Sequence, residues 1–596
     1  MKQRNEIDEK YKIDTSELFK DNNEFEKELG LVEKEISNIS KYSGKIMNDD
    51  NLYEMLSLDE KLTRRIMRLY TYAHLNNDFD LSENIYNEYV SKVLFIYNKY
   101  SSLASFIVPE LLENDYKIIE NKILHDSRLK EYELSLKNIF RLKEHTLSKD
   151  EEYIISKLVT PYDNFENAFS KLTDVDLKFG KIKVDGKNVE LNPILYYSLQ
   201  ESSNRSIRRT SFKKFYKGYE SIINTNSELI TGNVKKNNAL AEVRKFKSAL
   251  ERSLINNDID PKVYEALLNS INKNINIIHK QWEVFFEAIK ISDPHIYDIG
   301  CPVVSGYEKK YTFEEGKELV LKALKVMGDD YLNIIKKAFD ERWIDVYPTL
   351  NKRSGGYCTN CYETHPYVFL NFDGRIHEVS TIIHELGHAM QYYYASKYNN
   401  YPNSDYSIFV AEVASQVNEI LLNLYIINNS KDANEIKTIY ANLIKQFKGS
   451  VVRQSMFAEF EKTIHEADQK GTPLSVDYLN SIYYKLNKKY YGKNIKVDKE
   501  IKYEWSRIPH FYYNFYVYQY ATGYIAALKI ATDIYNKKEG SLEKYLKFLK
   551  LGSTLSPVES LKVAGVDLTK EESFDAAFVE FDRQLEDFKK IIKKEV

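Results

Sequence analysis

The 596-residue sequence has little of what marks several large protein classes. It has only three cysteines, which excludes a disulfide-stapled framework. It contains no uninterrupted apolar run of about 18 or more residues, so no membrane-spanning helix is predicted. Its 85 basic side chains are balanced by 88 acidic ones, so the basic surplus typical of nucleic-acid-binding proteins is missing. We therefore expect neither a membrane nor a nucleic acid as a partner.

The N-terminal residues are charged and lack the apolar segment of a secretory signal. Together with the low cysteine content, this favours a cytoplasmic protein with reduced thiols. Cys358 and Cys361 have the CxxC spacing of a redox pair or of half a zinc site, but the sequence contains no second such pair. We interpret them as reduced thiols that do not bind metal.

With only 12 prolines and 21 glycines, the chain has long stretches whose apolar residues recur at helical spacing, and these predict a mainly α protein. The examples are Leu52–Tyr72, Ile207–Ala241, Pro261–Ala288 and Phe313–Phe339. Two segments predict β-structure instead. Residues 177–191 have the pattern of a hairpin around an Asp185-Gly186 turn. Residues 366–372 form an apolar run bounded by turn residues, which is typical of a strand.

At this length we expect more than one lobe. The predicted hairpin gives the best position for a boundary. It divides the chain into an N-terminal helical lobe, residues 1–195, and a larger catalytic lobe, residues 196–596, which contains the motifs described next.

The segment from Glu378 to Tyr394 is predicted to form a helix that carries His384 and His388. Residues four apart lie on one helical face, so both imidazoles can bind one metal ion. Zinc accepts imidazole nitrogens, and catalytic zinc keeps one position open for water. Glu385 is placed to take a proton from that water, as in the HExxH pattern. The alternative is a chance match, but a buried helix has little other reason to place a carboxylate between two histidines.

Two histidines need a third ligand, and the downstream helical segment, residues 405–422, contains two candidate carboxylates. Glu412 lies among apolar residues and would need a charged partner there. Periodicity alone does not choose between Glu412 and Glu419.

Three motifs together resemble a known family. HELGHAM (384–390), SIFVAEVASQVNE (407–419) and the segment Trp505–Gly523 are similar to the oligoendopeptidase F group of the thimet oligopeptidase family of zinc metallopeptidases. Residues 352–358 and the strand 366–372 resemble the region that precedes HExxH in that family. The motifs follow the family's order over residues 350–525.

The resemblance implies that His384, His388 and Glu412 hold one zinc ion per chain and that Glu385 is the catalytic base. Some relatives have a further histidine at the position of Gln391, so such a histidine is not a required ligand here. Glu378 is predicted either to orient a ligand histidine or to be an exposed charge.

The resemblance also assigns a catalytic role to the C-terminal motif. The family uses a histidine and tyrosines of this segment to stabilise the tetrahedral oxyanion of amide hydrolysis. His510 matches the histidine. Because the segment is shorter here than in thimet-type relatives, the tyrosine register is open, and we favour Tyr516 and Tyr518.

Substrate contacts are predicted for Gly355, Gly356, Tyr357 and Tyr513. The two glycines would let the backbone approach a peptide, although an ordinary turn explains them equally well. If residues 366–372 form an edge strand, they could pair with an extended peptide through main-chain hydrogen bonds.

The family fold implies a mainly α, two-lobed helical ellipsoid with a deep central channel and a small β-sheet near the HExxH helix. The implied function is zinc-dependent endopeptidase activity on short unstructured peptides. One alternative is a zinc carboxypeptidase of similar fold, for which we identify no group that would capture a free carboxylate. Another is a peptide-binding relative that does not catalyse.

Overall fold

The computed structural model describes residues 2–162, 164–184, 186–304 and 309–593. The chain divides into two compact units, each assembled from three segments. Unit 1 comprises Met1–Glu144, Glu308–Tyr425 and Ile530–Val566, and unit 2 comprises His145–Tyr307, Ile426–Lys529 and Asp567–Val596. The predicted boundary at residue 195 stays a prediction about domain organisation.

The fold is mainly α-helical, as predicted. The α-helices are α1 (Asn22–Glu35), α2 (Asn51–Phe79), α3 (Asn84–Ala104), α4 (Ile107–Leu112), α5 (Tyr116–His125), α6 (Glu133–Arg141), α7 (Lys149–Tyr162), α8 (Asn164–Ser170), α9 (Pro193–Gln200), α10 (Arg205–Ser221), α11 (Ile223–Val243), α12 (Ala249–Asn256), α13 (Lys262–Lys273), α14 (Ile275–Ala288), α15 (Phe313–Ala323), α16 (Asp329–Asp340), α17 (Ile376–Tyr398), α18 (Ile408–Asn429), α19 (Ala433–Phe447), α20 (Arg453–Gln469), α21 (Val476–Tyr491), α22 (Tyr518–Tyr535), α23 (Ser541–Leu549), α24 (Pro557–Val563) and α25 (Glu571–Lys593).

Short helical segments of other types connect them. The 3₁₀ segments are Arg4–Glu6, Glu9–Tyr11, Ile36–Tyr42, Ser127–Tyr132, Lys143–His145, Ile296–Asp298, Leu324–Met327, Tyr401–Asn403, Lys499–Arg507 and Pro509–Tyr512, and the π-helical turns are Lys171–Asp176 and Lys448–Val452. Within the described ranges, no helix is both long enough and apolar enough to cross a membrane.

The predicted helical stretches are confirmed, and three of them contain a break. Leu52–Tyr72 lies within α2, whereas Ile207–Ala241 covers α10 and α11, Pro261–Ala288 covers α13 and α14, and Phe313–Phe339 covers α15 and α16. The start of α15 shows how sequence fixes such a boundary. Thr312 Oγ1 accepts a hydrogen bond from the Glu315 N–H at 3.2 Å, and the Glu315 carboxylate accepts one from the Thr312 N–H at 2.7 Å. This capping box satisfies donors that a helix N-terminus leaves unpaired.

The described β-structure forms two small sheets. Strands β1 (Lys181–Val184) and β2 (Lys187–Glu190) are antiparallel neighbours, which confirms the predicted hairpin; its turn residue Asp185 lies outside the described residues. The second sheet has the order β3-β5-β4, with β3 (Ile344–Asp345) parallel and β4 (Tyr357–Thr359) antiparallel to β5 (Tyr367–Phe369).

The three-stranded sheet lies in unit 1, and β4 and β5 both contact α17, so a small sheet beside the HExxH helix is confirmed. The strand predicted within residues 366–372 is confirmed as β5, but it is not the edge strand that pairing with a peptide would require. Strand β5 is central, and its backbone groups are used on both sides, by β3 and β4. Strands β3 and β4 are the edges of this sheet, and β4 contacts α17.

A buried ion cluster holds this sheet to the loop that precedes β4. Both carboxylate oxygens of Asp345 accept hydrogen bonds from the Arg4 guanidinium, at 3.0 and 2.7 Å. Lys352 Nζ lies 2.7 Å from Asp345 Oδ1 and also donates to the carbonyls of Tyr347 and Leu370. Burial opposes the charge of Asp345, but Lys352 and Arg4 keep the pKa of that carboxyl below its usual value. The paired charges thus fix the start of the loop that leads to Gly355 and Gly356.

Unit 2 is organised around a second buried charge. Glu504 is hydrogen-bonded by Arg453 and Arg507, each at 2.7 Å, and by the hydroxyl of Tyr483 at 2.7 Å. Although burial would raise the pKa of Glu504, the two guanidinium groups hold it at about 2. The carboxylate therefore stays ionised and joins α20, α21 and the segment Lys499–Arg507.

Candidate active site

The predicted metal ligands come together on two helices of unit 1. Helix α17 carries His384 and His388, whose ring centroids are 4.9 Å apart. Helix α18 brings Glu412 to both rings. Its Oε2 atom lies 3.4 Å from His384 Nε2 and 3.6 Å from His388 Nε2.

These distances fit a single zinc ion. Two ligand atoms that are each about 2.1 Å from one ion are about 3.4 Å apart when they subtend a tetrahedral angle. One ligand atom from each of the three side chains lies within 4.8 Å of the other two. The side chain of Glu412 is 45% exposed, so the site is open to solvent on that side. Two imidazole nitrogens, one carboxylate and an open position form the donor set of catalytic zinc.

Gly387 allows the two helices to come this close. A Cβ atom at this position would lie 2.5 Å from Ser415 Cα and 2.6 Å from the Ala414 carbonyl oxygen, both in α18. No side chain fits in that space, so the glycine between the two ligand histidines sets the separation of α17 and α18. Nearby, the Asn418 amide donates to the Ile383 carbonyl at 3.2 Å and links the same helices.

Each ligand is oriented by a further group of α18. The Glu419 carboxylate is hydrogen-bonded to His384 Nδ1, which leaves Nε2 available for metal. Ser415 Oγ donates to Glu412 Oε2 at 2.9 Å. His388 is hydrogen-bonded to the backbone of Ala411. The carboxylate that orients a ligand histidine is therefore Glu419 rather than Glu378.

The same contacts set the protonation behaviour of the site. Burial opposes the charge of His384, but the hydrogen bond that its ring donates to Glu419 and the surrounding carboxylates raise its pKa to about 9. Burial and the neighbouring His384 lower the pKa of His388 to about 4. Burial raises the pKa of Glu385 to about 7, against the opposing effect of His384. A carboxyl group with a pKa near neutrality suits general acid–base chemistry.

Strand β4 lies beside Glu385. Burial raises the pKa of the Cys358 thiol, and the charge of Glu385 adds to the effect. All three cysteines are free of disulfide bonds.

Of the predicted substrate contacts, Gly355 has a φ of +94°, which favours glycine, and it turns the chain into β4. Gly356 packs closely on Thr381 of α17, and the Tyr357 hydroxyl donates to the buried Asp78 at 2.9 Å.

His510 and its neighbouring tyrosines belong to unit 2. The Tyr520 hydroxyl lies 3.3 Å from His510 Nε2, and the Tyr516 ring contacts the rings of both His510 and Tyr520. Tyr513 is largely exposed and contacts His510 with its ring. Tyr518, in contrast, is only 1% exposed and packs on Tyr264, so it is separated from this cluster.

A strained turn supports the cluster. Asn514 and Phe515 have φ angles of +48° and +60°, which are uncommon for residues with side chains. The buried carboxyl group of Glu461 accepts a hydrogen bond from the Phe515 N–H at 2.7 Å, and Ser253 Oγ donates to the Asn514 carbonyl at 2.8 Å. These bonds stabilise a turn that lies between His510 and Tyr516.

Sequence reasoning missed the roles of Ser415, Glu419, Glu461 and Tyr520. For the first two a signal existed: they follow Glu412 by three and seven residues and so lie on its face of α18. Glu461 lies 54 residues from its partner Phe515, and no sequence spacing indicates such a contact.

Comparison with known proteins identifies the family. Residues 198–580, more than half of the chain, match the family described as Peptidase family M3, and residues 110–179 match the one described as Oligopeptidase F. The chain belongs to peptidase family M3. This M3 peptidase is a metalloendopeptidase, as predicted.

Full-length relatives support the same assignment. This M3 peptidase is 39% identical over 580 residues to oligopeptidase PepF of Bacillus subtilis (strain 168), covering 97% of this chain and 87% of that one. It is 35% identical over 600 residues to an oligoendopeptidase F homolog of Lactococcus lactis subsp. lactis (strain IL1403), with coverages of 100% and 99%. The crystal structure of oligoendopeptidase-F from Enterococcus faecium matches with a TM-score of 0.74 at 31% identity, covering 96% and 99%. The resemblance to the oligoendopeptidase F group is confirmed.

The contact at Gly387 yields a first prediction. Gly387→Ala should force α17 and α18 apart, moving Glu412 away from the histidines, and should weaken zinc binding by about tenfold or more while costing about 1–3 kcal/mol of stability. Competition with a chromophoric chelator and urea unfolding measure the two effects. Gly30→Ala in α1 is the control, because nothing lies within 4 Å of its Cβ position; it should stabilise by up to about 1 kcal/mol. Unchanged zinc affinity in Gly387→Ala would contradict this account of the helix contact.

A second prediction concerns the orientation of His384. Glu419→Ala removes the acceptor at Nδ1, so the ring loses its fixed tautomer and zinc affinity should fall by about 10- to 100-fold. The same chelator competition measures it. Glu378→Ala, which removes a carboxylate from α17 itself, should leave zinc affinity within about twofold, as expected of a residue that does not hold a ligand. Equal losses of zinc affinity in the two variants would show that the negative charge of these carboxylates, and not the hydrogen bond between His384 and Glu419, determines zinc affinity.

Proposed function

We propose that this M3 peptidase is a zinc-dependent endopeptidase that hydrolyses internal bonds of short unstructured peptides. The observation that carries the proposal is the convergence of two imidazole nitrogens and the Glu412 carboxylate at distances suited to zinc, with Glu385 on the same helix as the histidines. The names oligopeptidase and oligoendopeptidase of full-length relatives support the choice of internal bonds in short peptides.

His384, His388 and Glu412 would hold the metal, with Glu419 keeping the proton on His384 Nδ1. Zinc bound there would polarise the scissile carbonyl and lower the pKa of a water molecule towards about 7. Glu385 then accepts a proton from the attacking water and later delivers it to the leaving amine.

We assign stabilisation of the oxyanion to His510 with Tyr516 and Tyr520. His510 occupies the position of the family's histidine, and Tyr520 is the tyrosine whose hydroxyl reaches its ring. Tyr520 takes the place of Tyr518, because the burial of Tyr518 against Tyr264 is typical of a core residue. Tyr516 is retained because its ring packs on both His510 and Tyr520.

For substrate binding, the edge strand β4 replaces β5 as the proposed partner of the peptide. An edge strand offers unpaired main-chain groups to an extended chain. Such pairing reads backbone rather than side chains, which suits tolerance of many sequences. Gly355 leaves the start of this edge open, since nothing lies within 4 Å of its Cβ position, whereas Gly356 faces Thr381 of α17.

The decisive test uses an internally quenched peptide with both termini blocked. We expect wild-type enzyme to cleave it and Glu385→Gln to bind zinc normally but to lose about 10²- to 10⁴-fold in kcat, because the variant lacks the base. Mass spectrometry of the products and metal analysis measure the two properties. Glu378→Gln on the same helix is the control and should retain activity. Cleavage only of peptides with a free C-terminus would favour a carboxypeptidase, and an active Glu385→Gln would remove the assigned base.

The oxyanion assignment has its own test. His510→Ala should lower kcat by about 10²- to 10³-fold, as loss of one oxyanion donor does, with zinc content unchanged. Tyr518→Phe is the matched control from the same segment and should stay within about twofold of wild type, since its hydroxyl would not act on substrate. Steady-state kinetics on the quenched peptide separate kcat from KM. A His510→Ala variant with normal kcat would refute the role of His510.

A further inference from the structure

Unit 2 contains a pocket that the proposed peptidase chemistry does not use. It consists of two adjoining cavities with volumes of about 340 and 320 Å³. We call the combined space the Lys448 pocket and define it by the residues that line both cavities: Glu201, Trp282, Ile299, Gly300, Lys445 and Lys448. Its size falls within the range of sites that bind small organic ligands.

The pocket carries an excess of positive charge. Its ionisable lining comprises four cations and two carboxylates, namely Lys445, Lys448, Arg453, Arg507, Glu201 and Glu504. Both carboxylates already have partners. Glu201 pairs with Lys445 at 2.8 Å, and Glu504 is held by the two arginines.

Lys448 is the fourth cation of this lining, beside Lys445 and the two arginines that have carboxylate partners. Among the described residues, no carboxylate lies within ion-pairing distance of its ammonium group, which instead lies over the face of the Trp282 ring, 5.7 Å from the centroid. Burial, with the nearby charges of Lys445 and Arg453, lowers the pKa of Lys448 to about 8. A partly buried lysine without an anion carries a desolvation cost, which a bound anion would offset.

Two neutral polar groups of the pocket are also unsatisfied. Trp282 is 2% exposed and Gln281 is 1% exposed, and both line the second cavity. In the described part of the chain, neither the Trp282 indole N–H nor the Gln281 side-chain oxygen has a hydrogen-bond partner. Buried polar groups are nearly always paired, so these two atoms are exceptions beside the pocket.

The backbone changes its geometry at the same place. Helix α19 ends at Phe447 and α20 begins at Arg453, and the π-helical turn Lys448–Val452 joins them. Such turns are rare and occur frequently at functional sites. Here the turn begins with the unpaired lysine.

We propose that the Lys448 pocket binds a small organic anion in which a carboxylate or phosphate group is attached to a flat apolar ring. The anionic group pairs with Lys448 and accepts from the Trp282 N–H. The ring packs against the aromatic wall, where Trp282 and Tyr491 lie with their centroids 5.0 Å apart. None of the residues that line this pocket is a predicted metal ligand.

Isothermal titration calorimetry on the full-length chain tests the proposal with phenyl phosphate, benzoate, inorganic phosphate and neutral benzyl alcohol. We expect at least one aryl anion to bind with a Kd of about 1 mM or tighter, as good fragment-sized ligands do. Benzyl alcohol should bind at least about tenfold more weakly, because it lacks the charge. Comparison of phenyl phosphate with benzoate identifies the preferred anionic group. Inorganic phosphate binding as tightly as phenyl phosphate would contradict a role for the ring.

Lys448→Met should weaken binding of the preferred aryl anion by about tenfold or more, since it removes a charge-assisted contact. Lys470→Met is the matched control. It changes the same residue type in unit 2, but Lys470 lines neither cavity and its side chain is 75% exposed and paired with Glu466, so we expect less than about a twofold effect. Thermal unfolding checks that Lys448→Met folds. Trp282→Phe gives a second variant, which removes the N–H donor together with part of the aromatic wall and should also weaken binding.

The proposal is overturned if no aryl anion binds the wild-type chain at about 10 mM, a concentration that would reveal even weak fragments. It is equally overturned if Lys448→Met and Trp282→Phe both bind as tightly as wild type. Because the readout is binding rather than hydrolysis, neither result depends on whether the chain is a zinc endopeptidase.

Discussion

The proposed metal centre depends on one helix contact, the close approach of α17 to α18 at Gly387. The space there admits no side chain because the backbone of Ser415 fills it. Everything that prepares the ligands follows from this approach: Glu412 reaches both imidazoles, Glu419 reaches the far nitrogen of His384, and the backbone of Ala411 reaches His388. In HELGH the histidines and the glutamate carry the proposed chemistry. The glycine between them allows α17 to lie close to α18.

The predictability of the site falls as the sequence distance between its parts grows. The histidine pair and Glu385 follow from spacing within one helix, whereas the choice of Glu412 over Glu419 depends on the family resemblance. The structure shows that both glutamates serve the site, one at the metal position and one behind His384. A helix presents residues at i, i+3 and i+7 on one face, so the spacing of Glu412, Ser415 and Glu419 already places all three on the same side of α18.

The tyrosines near His510 and the strands of the three-stranded sheet were harder to predict from the sequence than the histidine pair. In a segment with a tyrosine at almost every second position, helical periodicity changes at the strained turn of Asn514 and Phe515, so spacing could not tell Tyr520 from Tyr518. The apolar run at 366–372 predicts a strand correctly, but the central position of that strand depends on β3 and β4, which are only two and three residues long. Pairing partners of that length leave almost no signal in a sequence.

The three-segment construction of each unit affects how the chain is made. Unit 1 begins with the first residues and is complete only with Ile530–Val566. During synthesis, its first helices are therefore made long before the last segment of the same unit. Contacts of such long sequence separation form slowly, and incomplete units expose apolar surface meanwhile. The ligand-bearing helices α17 and α18 lie in the middle segment of unit 1. The nascent chain therefore carries all three proposed metal ligands before the unit is complete, and a metal ion bound at that stage would stabilise the incomplete unit by mass action.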